Sequence, residues 1–211
     1  MDKKLLDRIN EAYKGELGEE MKTAARERIF WICENTYGNK ILDVGCSQGI
    51  VSILLAKDGK DVKGIDIESE QINYAVSELK KEDIFVQGKV SFVCGDFLEY
   101  DFKNEKFDTI IMGECLEHVF KPTMFLDKAK ELLDENGKLI VTVPFGINPH
   151  PDHKRTYYFL EIFNEIDERI HISSVKFFGK WLGVIANKEL SKSEFNIDTG
   201  LVKMMEDAFF S

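Results

Sequence analysis

The sequence contains few cysteines and prolines, and it lacks any long apolar run. There are four of each in 211 residues. The cysteines are far apart and form no Cys-x-x-Cys pair, which argues against a zinc ribbon or a thiol-exchange centre and favours reduced, mostly buried thiols. No apolar run approaches the roughly 20 residues of a membrane-spanning helix. The first residues, MDKKLLDRIN, carry charges where a secretion signal would be apolar, so we expect a cytoplasmic protein.

Positive charge is also scarce. Lys and Arg number 28 against 38 Asp and Glu, which gives a formal net charge of −10. Non-specific affinity for nucleic acids comes largely from Lys and Arg that displace counterions, so this balance disfavours a nucleic-acid partner. Nothing in the sequence favours one oligomeric state over another.

Short apolar runs alternate with segments of helical length through most of the chain. The predicted strands are Lys40–Val44, Asp61–Ile65, Lys89–Cys94, Phe107–Met112 and Lys138–Val143. Helices are predicted over 20–37, Ile50–Lys57, Glu68–Lys81 and Pro122–Leu133. Strands that alternate with helices need crossover connections, which predicts a doubly wound α/β fold with a mainly parallel, Rossmann-like sheet.

The alternation of strands and helices stops near the end of the chain. Two strand-like runs, Ile170–Phe178 and Trp181–Asn187, flank Gly179 and Lys180, which predicts an antiparallel hairpin and brings the sheet to seven strands. Three regions follow from these patterns. They are an N-terminal helical segment (1–37), the main domain (38–188), and a tail that is truncated or docks as a short helix (189–211).

The stretch ILDVGCSQGI, residues 41–50, predicts a ligand-binding turn. A buried strand stops at Gly45, and a helix starts near Gln48 or Gly49. Glycines allow a tight turn and the close approach of a ligand at the end of a strand. Asp66, about 20 residues later, ends the second strand, where a carboxylate can accept hydrogen bonds from two ribose hydroxyls. A glycine pair alone would indicate an ordinary turn, but the combination indicates an adenosine-bearing cofactor.

Four motifs, in order, carry a family resemblance: LDVGCSQG, GIDIES, VCGDFLEYDF and FDTIIMGECLEHV. Their order and spacing resemble those of class I S-adenosylmethionine-dependent methyltransferases over about residues 38 to 188. The resemblance implies that S-adenosylmethionine is the cofactor and that a glycine loop wraps its methionine portion. The implied loop residues are Asp43, Gly45, Cys46, Ser47 and Gly49.

The resemblance also implies that the N-terminal helical segment (1–37) covers the site, and it implies roles for residues at the next strand ends. Asp66 would hold the ribose hydroxyls, and Ile67 would pack on the adenine. Asp96 and Phe97 would hold the adenine amino group and ring face, and Glu114 would lie beside the cofactor and the methyl acceptor.

Ser47 is a departure, because many family members have a glycine at this middle position of the loop. We expect altered loop detail and retained binding, since serine is small. The same stretch, GCSQGI, lacks the Gly-x-Gly-x-x-Gly pattern of nicotinamide-dependent oxidoreductases, so it argues against that class.

Histidines supply the candidate catalytic groups. Methyl transfer to a hydroxyl needs a base, and imidazole is suited to this at neutral pH. His118 follows the fourth strand, and His150 and His153 follow the fifth, so two loops should meet at one edge of the sheet. His118 and His153 are the candidate general bases, although His118 could instead cap or pack a helix and His153 could fix its loop. His171 is expected to be structural or exposed.

A divalent metal is an alternative role for the same region. Glu114, Glu117, His118 and His153 together supply two carboxylates and two imidazoles, a plausible ligand set. The pattern resembles the metal site of small-RNA 2′-O-methyltransferases, where a metal holds the terminal ribose hydroxyls. Because Glu-x-Leu-Glu-His also occurs in metal-free small-molecule enzymes of the superfamily, we expect no metal.

The leading functional hypothesis is methyl transfer to a small-molecule, sugar or lipid-linked acceptor, most simply at oxygen. The alternatives are a metal-dependent small-RNA 2′-O-methyltransferase and a non-catalytic module that only binds the cofactor. Tyr157 and Tyr158 are candidates to face the acceptor, whereas Phe159 and Phe163 fit a helix that buries one face.

Overall fold

The structure, a computed structural model, describes residues 8–148, 150–188 and 202. The strands are β1 Lys40–Val44, β2 Asp61–Asp66, β3 Val90–Cys94, β4 Phe107–Gly113, β5 Leu133–Pro144, β6 His171–Phe178 and β7 Trp181–Asn187. The helices are α1 Ile9–Lys14, α2 Glu19–Asn35, α3 Ile50–Lys57, α4 Ser69–Leu79, α5 Ile84–Gln87, α6 Pro122–Leu132 and α7 Phe159–Asp167. A short 3₁₀ helix, Leu116–His118, follows β4.

All seven strands form one sheet in the order β3-β2-β1-β4-β5-β7-β6. The first five are parallel, and β7 pairs antiparallel with both β5 and β6. The predicted α/β fold with a terminal antiparallel hairpin is confirmed. Strand order reverses between β1 and β4, and ligands of open α/β sheets bind at the carboxyl ends of strands near such a reversal.

Successive residues of the central strands point to opposite faces and enter two separate cores. In β1, Leu42 packs into the core on the face that carries α6 and α7, whereas Ile41 packs with Trp31 and Ile32 of α2 on the other face. Adjacent strands repeat this alternation. Both faces of the sheet are therefore covered by helices, which leaves the edge formed by the strand ends as the open place for a site.

Strand β5 and helix α1 are two of the elements that differ from the predictions, and each difference has a physical reason. Strand β5 begins at Leu133, not Lys138, because Leu133 pairs with Phe107 before the pairing shifts register. The sequence did not predict this extension because polar residues follow Leu133 and interrupt the apolar run. Helix α1 was not predicted, since its six residues are too few to show a helical period.

Within the described part of the chain, no helix is both long and apolar enough to span a membrane. The predicted tail (189–211) lies outside the described residues except for Val202, which packs partly buried against the core on the α6 and α7 face.

Candidate cofactor and acceptor site

The turn after β1 is held against the end of β2 by backbone hydrogen bonds. The amides of Gly45 and Cys46 donate to the carbonyl of Ile65 at 2.8 and 3.2 Å. The Ser47 amide donates to Oδ2 of Asp66 at 2.8 Å. The two segments that the sequence assigned to the cofactor are therefore one connected surface.

The conformation of the turn explains where its glycines fall. Gly45 and Gly49 have φ values of 70° and 77°, and Ser47 has φ 46°. A side chain in this left-handed region is strained, which is why a glycine at the position of Ser47 is easier to accommodate. A Cβ on Gly45 would lie 3.2 Å from the sulfur of Cys115, so the close packing of the turn against Cys115 also favours glycine.

Gly49 combines a left-handed backbone with close packing. A Cβ at this position would lie 2.5 Å from Cζ of Phe92 and 2.8 Å from Cβ of Ala75. We expect Gly49→Ala to lower the free energy of unfolding by more than about 2 kcal/mol, since it adds a steric clash to backbone strain. Chemical denaturation measures this change.

Gly59 supplies the matched control for this prediction. It has φ 83°, yet a Cβ there would meet no atom within 4 Å. Gly59→Ala therefore carries the backbone strain alone and should cost about 1 kcal/mol. Equal losses from the two variants would contradict the proposed packing of Gly49.

The buried side chain of Asp43 connects β1 to the helix that follows the glycine turn. Its side chain is buried, and Ser52 Oγ of α3 donates to Oδ2 at 2.6 Å. Burial raises the pKa of Asp43 to about 6; the charge of Asp66 adds to the rise, and the Ser52 hydrogen bonds oppose it. Asp43 thus joins β1 to the start of α3, and its ionisation is costly in this protein.

Asp66 and its neighbours form the next part of the edge. The Asp66 carboxylate accepts the Ser47 amide through Oδ2 and the Glu68 amide through Oδ1, the latter at 2.9 Å. Ile67 is 64% exposed, which leaves its side chain available to a flat ring. The predicted ribose and adenine contacts remain predictions.

The motif VCGDFLEYDF, which follows the start of β3, places Asp96 at the surface and Phe97 in the core. Asp96 lies at the surface, where its Oδ1 accepts the Leu98 amide at 2.7 Å. Phe97 is only 4% exposed and packs against the rings of Phe102 and Phe125. Little of the Phe97 ring is therefore left for contact with adenine, while the Asp96 carboxylate remains accessible.

Glu114 follows β4 in a left-handed conformation, with φ 53°, and its amide donates to the carbonyl of Thr142 at 2.9 Å. Oε2 accepts a hydrogen bond from Trp181 Nε1 at 2.6 Å and lies 3.5 Å from Arg28 Nη1. The Arg28 guanidinium is 5.1 Å from the centroid of the Trp181 ring. Strained residues of this kind persist where surrounding contacts fix them, often at functional sites.

Arg28 and Trp181 were not among the predicted site residues. Arg28 is 7% exposed in the structure; the only signal in the sequence was its place in the predicted helix over 20–37. Trp181 follows the hairpin turn and belongs to no motif, so only the folded structure reveals its contact with Glu114.

Helix α1 packs on the glycine turn. The Asn10 amide donates to Oε1 of Gln48 at 2.8 Å, and both residues are buried. Lys14 forms an ion pair with Glu78 of α4 at 3.2 Å. These contacts support the prediction that the N-terminal segment covers the site, while the domain boundaries themselves remain a prediction.

Three histidines meet where the loops after β4 and β5 converge. The ring centroids of His118 and His153 are 4.9 Å apart, and His150 lies 4.9 Å from His153 and 6.1 Å from His118. One ligand atom each from Glu117, His118 and His153 lies within 4.8 Å of the others. Burial, followed by the neighbouring His118, lowers the pKa of His153. The structure therefore brings three of the four alternative metal ligands together.

The remaining aromatic and histidine candidates lie elsewhere. Tyr157 is 1% exposed, and its hydroxyl donates to Glu165 at 3.2 Å, so it does not face an acceptor. Tyr158 is partly exposed beside Phe145. His171 pairs with Asn187 at the opposite edge of the sheet, in agreement with a role outside the site.

Comparison with known proteins identifies the family. The methyltransferase domain family matches residues 35–170, well over half of the chain. This chain belongs to the class I S-adenosylmethionine-dependent methyltransferases. The cofactor of this family is S-adenosylmethionine, and the residues present fit it: a tight glycine turn, the Asp66 carboxylate and the exposed Ile67 lie at the ends of β1 and β2.

A ubiquinone biosynthesis O-methyltransferase of Actinobacillus pleuropneumoniae serotype 7 is 35% identical over 105 residues, or 49% of this chain and 44% of the relative. The methyltransferase chain thus spans less than half the length of this relative. A methyltransferase from Aquifex aeolicus superposes with a TM-score of 0.67 and 20% identity, covering 87% and 100% of the two chains. Magnesium protoporphyrin IX methyltransferase of Synechocystis PCC 6803 gives 0.67 and 16%, covering 89% and 90%. The structural likenesses show the fold alone.

Proposed function

We propose that this methyltransferase moves the methyl group of S-adenosylmethionine to an oxygen of a small-molecule, sugar or lipid-linked acceptor. The convergence of His118 and His153 on the edge that also carries the glycine turn supports the proposal. Both histidines follow parallel strands that end at this edge, and an imidazole can take up the proton of a hydroxyl group. The O-methyltransferase name of the 35% identical relative is consistent with this acceptor chemistry.

In this proposal, each residue of the site has a separate role. When bound, the cofactor supplies an activated methyl carbon, so the protein mainly aligns the acceptor and excludes water. The Asp66 carboxylate would bind the ribose hydroxyls. Arg28, held against Glu114, would place positive charge near the cofactor's carboxylate. His118 and His153 would contact the acceptor hydroxyl, and Trp181 would fix the Glu114 carboxylate through its N–H.

The rim beside the histidines suits an acceptor with an apolar part. Phe120, in the loop after β4, is 79% exposed, and Ile147, in the loop after β5, is 83% exposed. Lys154 lies 5.6 Å from the centroid of the Phe120 ring, and Arg155 donates to the Phe120 carbonyl at 3.2 Å, so the two loops pack together. Exposed apolar side chains beside a predicted site favour an organic acceptor over a polyanion.

The test is transfer of a labelled methyl group from S-adenosylmethionine into fractionated cell extract, with and without nuclease. We expect the label in a nuclease-resistant small-molecule, glycan or lipid fraction, and none with the Asp66→Ala variant. Label confined to nuclease-sensitive material would instead support the RNA alternative. Tight cofactor binding without label in any fraction would support a non-catalytic module.

A further inference from the structure

We propose that Trp181, in the terminal hairpin, is a positioning residue that keeps the Arg28 guanidinium and the Glu114 carboxylate from closing into a direct ion pair. Arg28 then stays able to bind the carboxylate at the amino-acid end of S-adenosylmethionine. This inference rests on the role that the proposed function gives Arg28. Trp181 lies beyond residue 170, where the match to the family ends, so the family match gives it no role.

Trp181 contacts both charged groups at once. Its Nε1–H donates to Oε2 of Glu114 at 2.6 Å, and its ring centroid lies 5.1 Å from the guanidinium carbon of Arg28. The same carboxylate oxygen lies 3.5 Å from Arg28 Nη1, which exceeds the roughly 2.7–2.9 Å of a charge-assisted hydrogen bond. The indole therefore holds the carboxylate through its N–H and attracts the guanidinium through its ring face.

The guanidinium of Arg28 has donors for a ligand. Arg28 is buried, yet its side chain donates no direct hydrogen bond to any residue that the structure describes. Arginine carries five N–H donors, and buried donors are nearly always paired. A carboxylate suits them, because two parallel N–H groups can reach its two oxygens. We therefore assign the carboxylate of the cofactor to this guanidinium.

The charged pair lies beside the glycine turn. Cys115 directly follows Glu114, and a Cβ on Gly45 would lie 3.2 Å from the Cys115 sulfur. The end of β4 and the turn after β1 are therefore in close contact. A ligand whose amino-acid end lies along the glycine turn would meet Arg28 there.

The sheet and α2 fix Trp181 relative to Arg28. Trp181 pairs with Pro144 of β5. Two residues further along β7, Gly183 leaves room for the Trp31 ring, since a Cβ there would lie 2.7 Å from Trp31 Cζ3. Arg28 lies about one helical turn before Trp31 on α2, so it reaches Trp181 as Trp31 reaches Gly183. The indole is thus a rigid support for the guanidinium.

Removing the indole N–H should let the pair close. The Glu114 carboxylate would turn toward Arg28, and a direct ion pair would occupy N–H groups that the ligand carboxylate needs. Trp181→Phe keeps an aromatic face for Arg28 and lacks only the N–H and part of the ring. This variant therefore separates the hydrogen bond to Glu114 from the packing.

Two thioether ligands isolate the amino-acid end. S-Adenosylhomocysteine and 5′-methylthioadenosine share the adenosine and the sulfur, but only the first carries an amino-acid group. Calorimetry with each ligand should show that Trp181→Phe lowers the preference for S-adenosylhomocysteine by at least about tenfold. Methylthioadenosine should bind the variant as it binds the parent. Thermal unfolding checks that the variant is folded.

Two further variants distinguish positioning from packing. Trp31→Phe makes the same exchange in the core that α2 covers, where Trp31 is 7% exposed. It should destabilise the fold more than Trp181→Phe, yet keep the ligand preference within about threefold of the parent. Glu114→Gln removes the charge that competes for Arg28. In that background, Trp181→Phe should change the preference by less than about threefold.

An unchanged preference in Trp181→Phe, or an equal weakening of both ligands, would overturn the inference. The same tenfold loss in the Glu114→Gln background would also overturn it, because Trp181 would then act independently of Glu114. The binding assay needs no methyl acceptor. A protein that shows the expected loss of preference but labels no acceptor would defeat the proposed function and leave the role of Trp181 standing.

Discussion

Replacing Asp66 by alanine should weaken binding of S-adenosylmethionine by at least about 100-fold. The variant would lose the predicted hydrogen bonds to the ribose, and each hydrogen bond to a charged group contributes about 1.5–3 kcal/mol. It would also release the Ser47 amide, now held at 2.8 Å, and with it the strained middle of the glycine turn. Isothermal titration calorimetry with S-adenosylmethionine measures the change.

Two further variants make this result specific. Asp66→Asn keeps one oxygen acceptor of similar shape, so its loss should be intermediate. Asp58→Ala removes an exposed carboxylate at the end of α3 and should bind the cofactor like the parent. A dissociation constant for Asp66→Ala within about threefold of the parent would contradict the ribose assignment, whatever the activity of the variant.

Replacing Asp43 by asparagine should stabilise the cofactor-free protein at pH 7.5 but not at pH 4. Burial raises the pKa of Asp43 to about 6 from 3.8, so the folded protein holds this proton more tightly than the unfolded chain does. The contribution of protonated Asp43 to the free energy of unfolding is fully present below about pH 4. It is lost as the pH rises through about 6, where the buried group ionises. Asparagine removes the buried charge and can still accept the Ser52 hydrogen bond.

The expected gain is about 3 kcal/mol in the free energy of unfolding at pH 7.5, and close to zero at pH 4. Urea denaturation at the two pH values measures both, with Asp58→Asn as the exposed control. A gain of equal size at both pH values, or a loss at pH 7.5, would show that ionisation of Asp43 is not the cause. We also expect the cofactor to stabilise Asp43→Asn less than the parent, because the cofactor is positively charged.

The sequence predicted the elements whose signals are local. Strand β1 and helix α3 have the predicted bounds, because an apolar run is closed by glycines that fix the turn between them. The convergence of His118 and His153 was also foreseeable, since the parallel strands β4 and β5 end at the same edge.

Features that depend on distant contacts were not predictable. Arg28, Glu114 and Trp181 come from an N-terminal helix, the end of β4 and the final hairpin, and no short motif contains any two of them. The start of β5 depends on pairing between Leu133 and Phe107, which its polar neighbours conceal. The burial of Phe97 depends on packing against Phe102 and Phe125, and the motif alone suggests only an aromatic residue near adenine.

The position of β7 between β5 and β6 has a practical consequence for making chimeric enzymes. The region shared with the family ends at residue 170, one residue before β6 begins. A fragment cut there would leave β5 as an exposed edge strand, open to pairing with other chains. It would also lack the indole that holds Glu114. A transplant of this domain therefore needs the chain through Asn187, even though family matching stops earlier.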